Sequence, residues 1–261
     1  MSEEIEIREC TTVAEFDECI ALQREAFGLP DQELSPRRHL IVSRQAGGWT
    51  LGAFAKDRMV GFVHHLAAVR GLSEIFGYSH MMGVALDYQN KGVGARLKWA
   101  QRERSLAEGR NFVKWTWEPM RARNAHFNLN RLGVVVEAYA ENFYGTDYGS
   151  DFAGQLQGAP GIDSDRLFAS WYLRSERVKQ LALGEPFPVP EKPVVTVAIP
   201  ANWPELVQED SQVAKQEQLR VREEFQRALA GGLVCAGFDR HTERPVYLFY
   251  ERNHIQTLQV G

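Results

Sequence analysis

Apolar positions along the chain follow two periods, and the switches between them mark out the elements. Ile5-Glu-Ile-Arg-Glu-Cys10 alternates and predicts a first strand. Thr12-Val-Ala-Glu15 has the form of a capping box, and Val13, Phe16, Ile20 and Phe27 give one apolar helical stripe behind it. Leu29-Pro-Asp31 breaks that helix. Ser35-Pro36 predicts a restart, with serine as N-cap and proline at the first helical position, and Gly47-Gly48 predicts its stop. Residues 50–56 and 59–67 read as strands joined at Asp57-Arg58, an antiparallel hairpin. Alternation sends His64 and His65 to opposite faces, so at most one can line a given pocket, and each reads as packed or solvated before catalytic.

Residues 77–86 form the next strand, and the loop at its end is the most informative stretch of the chain. Val84-Ala-Leu-Asp-Tyr-Gln-Asn-Lys-Gly-Val-Gly94 passes from an apolar strand through a polar loop into a helix predicted over 92–109, with Val93, Leu97 and Ala100 at helical spacing. Lys98, Arg102 and Glu103 fall on its other faces, and Gly109 is the stop. A loop that opens into a helix N-terminus aims unpaired N–H groups and partial positive charge at one spot, and glycines let an anion approach the main chain. A Walker-type loop would need Lys-Ser/Thr after the last glycine, where Ala95-Arg96 stand; a dinucleotide fingerprint would need a small residue at Leu97.

Residues 112–117 predict a strand ending at Glu118-Pro119. Arg123-Asn-Ala-His-Phe-Asn-Leu-Asn-Arg-Leu-Gly133 predicts a short helix capped by Asn124 and closed by Gly133, and residues 134–140 predict a strand. Residues 146–170, rich in Gly and Asp, read as irregular, and 165–183 carries a helix or strand that the pattern does not assign. Residues 183–193 hold four prolines in a stiff connector. Beyond it come a strand at 194–199, a long helix at 205–230 with Ala214, Val221, Phe225 and Leu229 inward, and strands at 233–239 and 246–251. Gly231-Gly232 echoes Gly47-Gly48, so this end reads either as a partial repeat of 35–63 or as an added αβ extension.

The spacing Gln89-Asn90-Lys91-Gly92-Val93-Gly94 resembles the Gln/Arg-x-x-Gly-x-Gly/Ala pyrophosphate motif of the GNAT-type N-acetyltransferases, which bind acyl-coenzyme A. The order of elements over residues 5–148 is similar to theirs. Asn124-Ala-His-Phe-Asn128, Leu132-Gly133, Tyr144-Gly145 and Asp165-Arg166…Trp171 resemble one branch of predicted acetyltransferases within that group. The resemblance implies an α/β (α+β) fold: a mixed, mostly antiparallel central sheet flanked by helices, plus a C-terminal αβ extension. The corresponding expected layout is an acyl-CoA-binding domain over 1–150, a loop and connector over 151–193, and the extension over 194–261. It also implies an acyl-CoA co-substrate held by Val84, Leu86, Gln89, Asn90, Lys91, Gly92, Val93, Gly94 and Asn124, with no metal. One departure stands out: the tyrosine that often serves as general acid four residues before the closing glycine is Leu129 here.

Composition narrows the classes. At 261 residues, 44% hydrophobic and 25% charged, the chain has material for a sizeable core. A net charge of −4 speaks against a nucleic-acid surface. Cys10, Cys19 and Cys235 lack ligand spacing and read as reduced thiols, there is no membrane-length apolar run, and Met1-Ser-Glu-Glu is too acidic to begin a signal peptide; the expected compartment is cytoplasmic.

Acyl transfer from a thioester to an amine needs a deprotonated amine, a stabilised carbonyl oxygen and a proton for the departing thiolate. Tyr144 is the first candidate acid and Tyr139 the second. Glu118, beside Trp115 and Trp117, is the candidate base if an apolar surround raises its pKa, with a water chain as the other route. A backbone N–H near Val84 is the expected oxyanion donor. Arg121, Arg123 or Arg166 are available to pair with a carboxylate on the acceptor, or are simply solvated. The leading expectation is thus an N-acyltransferase moving an acetyl or other small acyl group, succinyl included, to a primary amine of a small molecule such as an amino acid. The alternative is a non-catalytic CoA-binding or regulatory module of the same shape, and a third reading gives the extension a role in a homodimer.

Overall fold

The computed structural model describes residues 4–29, 31–146, 162–187, 192–240 and 243–253. Internal packing divides the chain into two units, the first ending at Val113 and the second beginning at Lys114.

The first unit contains β1 (Ile5–Glu9), α1 (Val13–Phe27), α2 (Arg37–Gln45), β2 (Trp49–Ala55), β3 (Arg58–Arg70), β4 (Glu74–Val84), α3 (Val93–Ala107) and the start of β5 (Phe112–Trp117). Its strands run β1-β2-β3-β4, each pair antiparallel. The capping box forms as expected: Glu15 N–H donates to Thr12 Oγ1 at 3.3 Å and Thr12 N–H donates to a Glu15 carboxylate oxygen at 2.9 Å. The buried stripe of α1 is not the predicted one. Val13 is exposed, and Phe16, Cys19, Leu22, Gln23 and Ala26 face inward. Gln23 explains a second difference. Its side-chain amide bonds both Ser35 N–H (2.8 Å) and Ser35 C=O (3.2 Å), so Ser35 is clamped upstream, Pro36 is the N-cap of α2, and no side chain caps that helix.

His64 and His65 do go to opposite faces, and both are fully buried. His64 meets Ser43 of α2 and His65 meets Gln101 of α3, so the two helices cover opposite faces of this sheet. His65 lies flat on Trp49 with ring centroids 4.0 Å apart. A Cβ at Gly77 would sit 2.2 Å from the His65 ring, so only glycine fits opposite it. The α3 helix also departs from its expected pattern: Lys98 and Arg102 are buried along with Val93 and Leu97. Lys98 Nζ donates to Ser79 Oγ (2.8 Å) and to Gln101 Oε1 (2.9 Å), which gives the buried amine polar partners.

The second unit holds the rest of β5, then α4 (Ala122–Ala125), β6 (Val135–Ala140), β7 (Arg166–Tyr172), α5 (Glu176–Ala182), β8 (Val195–Ala198), α6 (Trp203–Glu209), α7 (Ser211–Ala230), β9 (Leu233–Asp239) and β10 (Val246–Glu251). Its strand order is β5-β7-β6-β9-β10-β8, with β6–β7, β6–β9, β9–β10 and β10–β8 antiparallel. The irregular stretch expected over 146–170 includes most of β7, where Leu167, Ala169 and Trp171 alternate into the core; residues 147–161 lie outside the described residues. The unassigned 165–183 segment is both things, a strand and then a helix. Part of the connector, 188–191, is also outside the described residues.

The long C-terminal helix is two helices. Asp210 accepts the Val213 N–H at 3.0 Å and caps α7, ending α6 at Glu209. Ala228 rather than Leu229 completes the buried face of α7. Aromatic rings fill the space beneath it, with Phe225 against Tyr247 (4.9 Å) and Phe249 (5.0 Å). The resemblance of this end to residues 35–63 stops at pairing order: β1 joins the first strand of its hairpin, whereas β8 joins the second. Among the described residues no helix is long and apolar enough to cross a membrane.

Candidate functional site

The loop from Val84 to Gly94 is built to leave main-chain amides exposed at one end of α3. Ala85 N–H closes the strand onto Val60 C=O (3.0 Å), and Leu86 N–H is taken by Glu25 (2.7 Å). A single 3-10 turn, Leu86–Tyr88, then lifts the chain off the sheet. Gln89 Nε2 reaches back to Val84 C=O at 3.3 Å, bracing the base of the loop. Asn90 (φ 61°) and Gly92 (φ 81°) both adopt left-handed backbone, which turns the chain sharply into the helix. Gly92 is the N-cap of α3 and offers no side chain, so the first-turn N–H groups are uncapped.

A Cβ at Gly92 would meet nothing within 4 Å; one at Gly94 would make ordinary contacts with Met82 (3.5 Å) and Val84 (3.8 Å). Room for an anion thus lies directly over the amides. Lys91 stacks over Tyr88 at 4.9 Å, and Arg58 pairs with Asp87 through two contacts of 2.7 and 3.1 Å, holding the turn from below. These loop residues are brought together as the spacing requires. Leu86 contributes an amide already bonded to Glu25.

In the second unit the sequence candidates fare unevenly. Asn124 lies inside α4 and is not its cap; Arg121 is, and it makes no side-chain cap bond. The short helix closes through a π-helical turn, His126–Arg131, with Leu132 N–H donating back to Phe127 C=O at 3.1 Å. Leu129 is wholly buried in that turn, and its carbonyl accepts from Arg177 (2.6 Å). The position at which the resemblance implies a tyrosine is core in this chain.

Glu118 does not sit in the apolar pocket expected of it. Arg121 Nε donates to one carboxylate oxygen (3.0 Å) and Trp203 Nε1 to the other (2.8 Å). Arg121 is committed to that pair, and Arg166 is buried with Nη1 on Asp165 C=O (2.9 Å). Tyr139 donates to Asp165 at 2.5 Å. Burial, then the Asp165 charge, pushes its phenol far above the ordinary range. Arg222 completes this cluster with contacts of 2.7 Å to both Asp163 and Asp165. Tyr144 is different: the residue is 45% exposed, with its ring edge-on to Phe143 (4.7 Å) and the Arg166 guanidinium 5.0 Å from the ring centroid. Its N–H donates to Ser164 Oγ (2.7 Å), which fixes the backbone.

Sequence reasoning missed the buried histidine and lysine chemistry of the first unit. Burial and the neighbouring imidazoles His80 and His39 lower His64 to about 3. Burial alone pushes the Lys98 ammonium well below its ordinary value. A lysine directly after Leu97 in the sequence carries no signal of burial.

The fold has solved counterparts. An acetyltransferase of the GNAT family from Desulfovibrio desulfuricans superposes with a TM-score of 0.52 at 16% identity, over 65% of this chain and 99% of its own. The ribosomal-protein-S18-alanine N-acetyltransferase of Escherichia coli superposes with a TM-score of 0.51 at 13% identity, over 65% of this chain and 94% of its own. The chain therefore has the fold of the GNAT acetyltransferases. No protein-family profile matches the sequence. No curated protein matches it either.

Proposed function

We propose that this chain is an acyl-CoA-dependent N-acyltransferase that moves an acetyl or other small acyl group to a primary amine of a small molecule. The observation that carries the reading is the uncapped α3 N-terminus behind two left-handed loop residues, on the strand–loop–helix of a GNAT fold. The amides of Gln89 to Gly94 receive the pyrophosphate, and an amide near Val84 is assigned to the carbonyl oxygen. Asn124, whose side chain caps no helix, is assigned to contact the pantetheine arm.

Tyr144 is the proposed proton donor to the leaving thiolate. Phenols ordinarily titrate near pKa ~10, so they stay protonated at neutral pH and are better acids than water. Tyr139 is passed over because its proton already serves Asp165. With both oxygens of Glu118 engaged, deprotonation of the amine is assigned to water rather than to that carboxylate. The test is a matrix of acyl donors, acetyl-CoA and succinyl-CoA included, against a panel of small amines, read by thiol release. Turnover with one amine supports the reading. CoA binding without turnover on any amine favours the non-catalytic module, for which the burial of Leu129 is the specific observation.

A further inference from the structure

Three imidazoles meet in the first unit, none of them among the loop residues proposed to bind CoA. His39 comes from α2, His64 from β3 and His80 from β4. Their ring centroids lie 5.3 Å (His39–His64), 5.3 Å (His39–His80) and 5.8 Å (His64–His80) apart. One nitrogen from each lies within 4.8 Å of the other two.

Two local features bring them together. The β3–β4 register slips between His64 and His65, so Met81 faces His64, Ser79 faces His65, and His80 is the extra residue of a bulge. The slip breaks the alternation that would otherwise separate His80 from His64. On α2, His39 and Ser43 are one turn apart and share a face. Ser43 touches His64 Nε2 at 3.1 Å, so that nitrogen is the one turned toward α2.

The polar inventory is unbalanced without a further partner. Ser43 gives its proton to Leu40 C=O (3.0 Å), so its oxygen accepts from His64 Nε2–H, and Thr50 Oγ1 donates to His64 Nδ1 (2.8 Å). His39 Nε2 is buried with no hydrogen-bond partner among the described residues. A buried imidazole nitrogen without a partner, on a ring packed beside two other imidazoles, is an incomplete arrangement.

We infer that His39, His64 and His80 form a binding site for a divalent transition-metal ion, Zn²⁺ by ligand type, with a fourth position open to water on the exposed side of His80. Three imidazoles with one open position is a donor set suited to tetrahedral zinc. Nitrogens at 2.0–2.1 Å from one ion stand about 3.4 Å from each other, so binding draws the rings together, chiefly by rotation of His39 and His80. His64 gives Nε2 to the metal and carries its proton on Nδ1. Thr50 Oγ1 then turns from donor to acceptor and holds the ring, the outer-shell support that metal-bound histidines ordinarily have.

The test uses the full chain, stripped with a chelator and titrated with Zn²⁺ against a chromogenic competitor, and separately with Co²⁺ for its visible absorption. The expected result is one Zn²⁺ per chain and a Co²⁺ spectrum of four-coordinate intensity. His39→Gln and His80→Gln should each weaken binding roughly 100-fold or more, at the upper end of what even outer-shell changes cost. Both positions lie toward the edge of the cluster, and circular dichroism confirms that the variants fold. His126→Gln, in the other unit, should leave the affinity unchanged. Absence of stoichiometric Zn²⁺ binding, or equal affinity in wild type and both cluster variants, overturns the site. Neither result bears on acyl transfer, so the two readings fail separately.

Discussion

Lys98 is 3% exposed on α3, and its amine is held by Ser79 and Gln101, with burial keeping it well below the ordinary lysine range. The unfolded chain keeps a normal lysine near pKa ~10.4. Between the lowered folded value and ~10.4 the unfolded state binds one more proton, so stability rises with pH by about 1.4 kcal/mol per unit. Lys98→Met removes that slope. Urea melts from about pH 7 to about pH 10 should show wild type gaining on the variant at each step; parallel curves would mean that Lys98 is charged in the folded state. Glu15 acts in the opposite sense. Burial opposes its charge, but the Thr12 N–H, Arg8 and the Thr11 N–H outweigh burial and hold it at about 2. Its contribution is complete above the ordinary carboxylate pKa and is lost as pH falls through about 2, an effect on the order of 3 kcal/mol. Glu15→Gln should flatten the acid limb of the stability curve between about pH 4.5 and pH 2, and an unchanged acid limb would show that the box is not ionised.

Elements were legible in the sequence where local chemistry alone set them. The Thr12–Glu15 box, the 112–117 strand and the glycine loop needed no tertiary partner to be recognised. The failures have tertiary causes. Gln23 clamps Ser35 and displaces the α2 cap, Asp210 interrupts an otherwise continuous helical pattern, and a π-turn absorbs the residues after Asn124. The charged residues Lys98 and Arg102 gave a false solvent face to α3, because their burial depends on partners distant in sequence. The loop proposed to hold the pyrophosphate was legible as spacing, and its backbone geometry selects the variant that tests the proposal. At Gly92 a valine would be strained by φ 81°, whereas Gly94 lies in the helix and a Cβ there meets only ordinary contacts. Gly94→Val should keep the melting temperature and weaken CoA binding at least about tenfold, ~1.4 kcal/mol, by calorimetry. Asn124→Ala should shift stability by no more than about 0.5 kcal/mol, since no cap is lost, while weakening acyl-CoA binding. A stability loss without an affinity change would make Asn124 structural.

At the scale of the whole molecule the likeness to solved structures at 13–16% identity reaches the architecture and neither the reaction nor the acceptor. Within that architecture this chain buries Leu129 completely and leaves Tyr144 45% exposed. If the chain works as proposed, with leucine at position 129, the thiolate takes its proton from another group or departs unassisted. Tyr144→Phe keeps the edge-on contact with Phe143 and deletes only the hydroxyl, so it separates chemistry from packing. Loss of one positioned proton donor should lower kcat by roughly 10²–10⁴ with acyl-CoA affinity unchanged. Tyr139→Phe is the companion variant: it releases Asp165 from a 2.5 Å bond and should lower the melting temperature while sparing kcat. If Tyr139→Phe loses turnover and Tyr144→Phe does not, the acid belongs to the Asp165 cluster. Full activity in both leaves the thiolate to depart unassisted or with water.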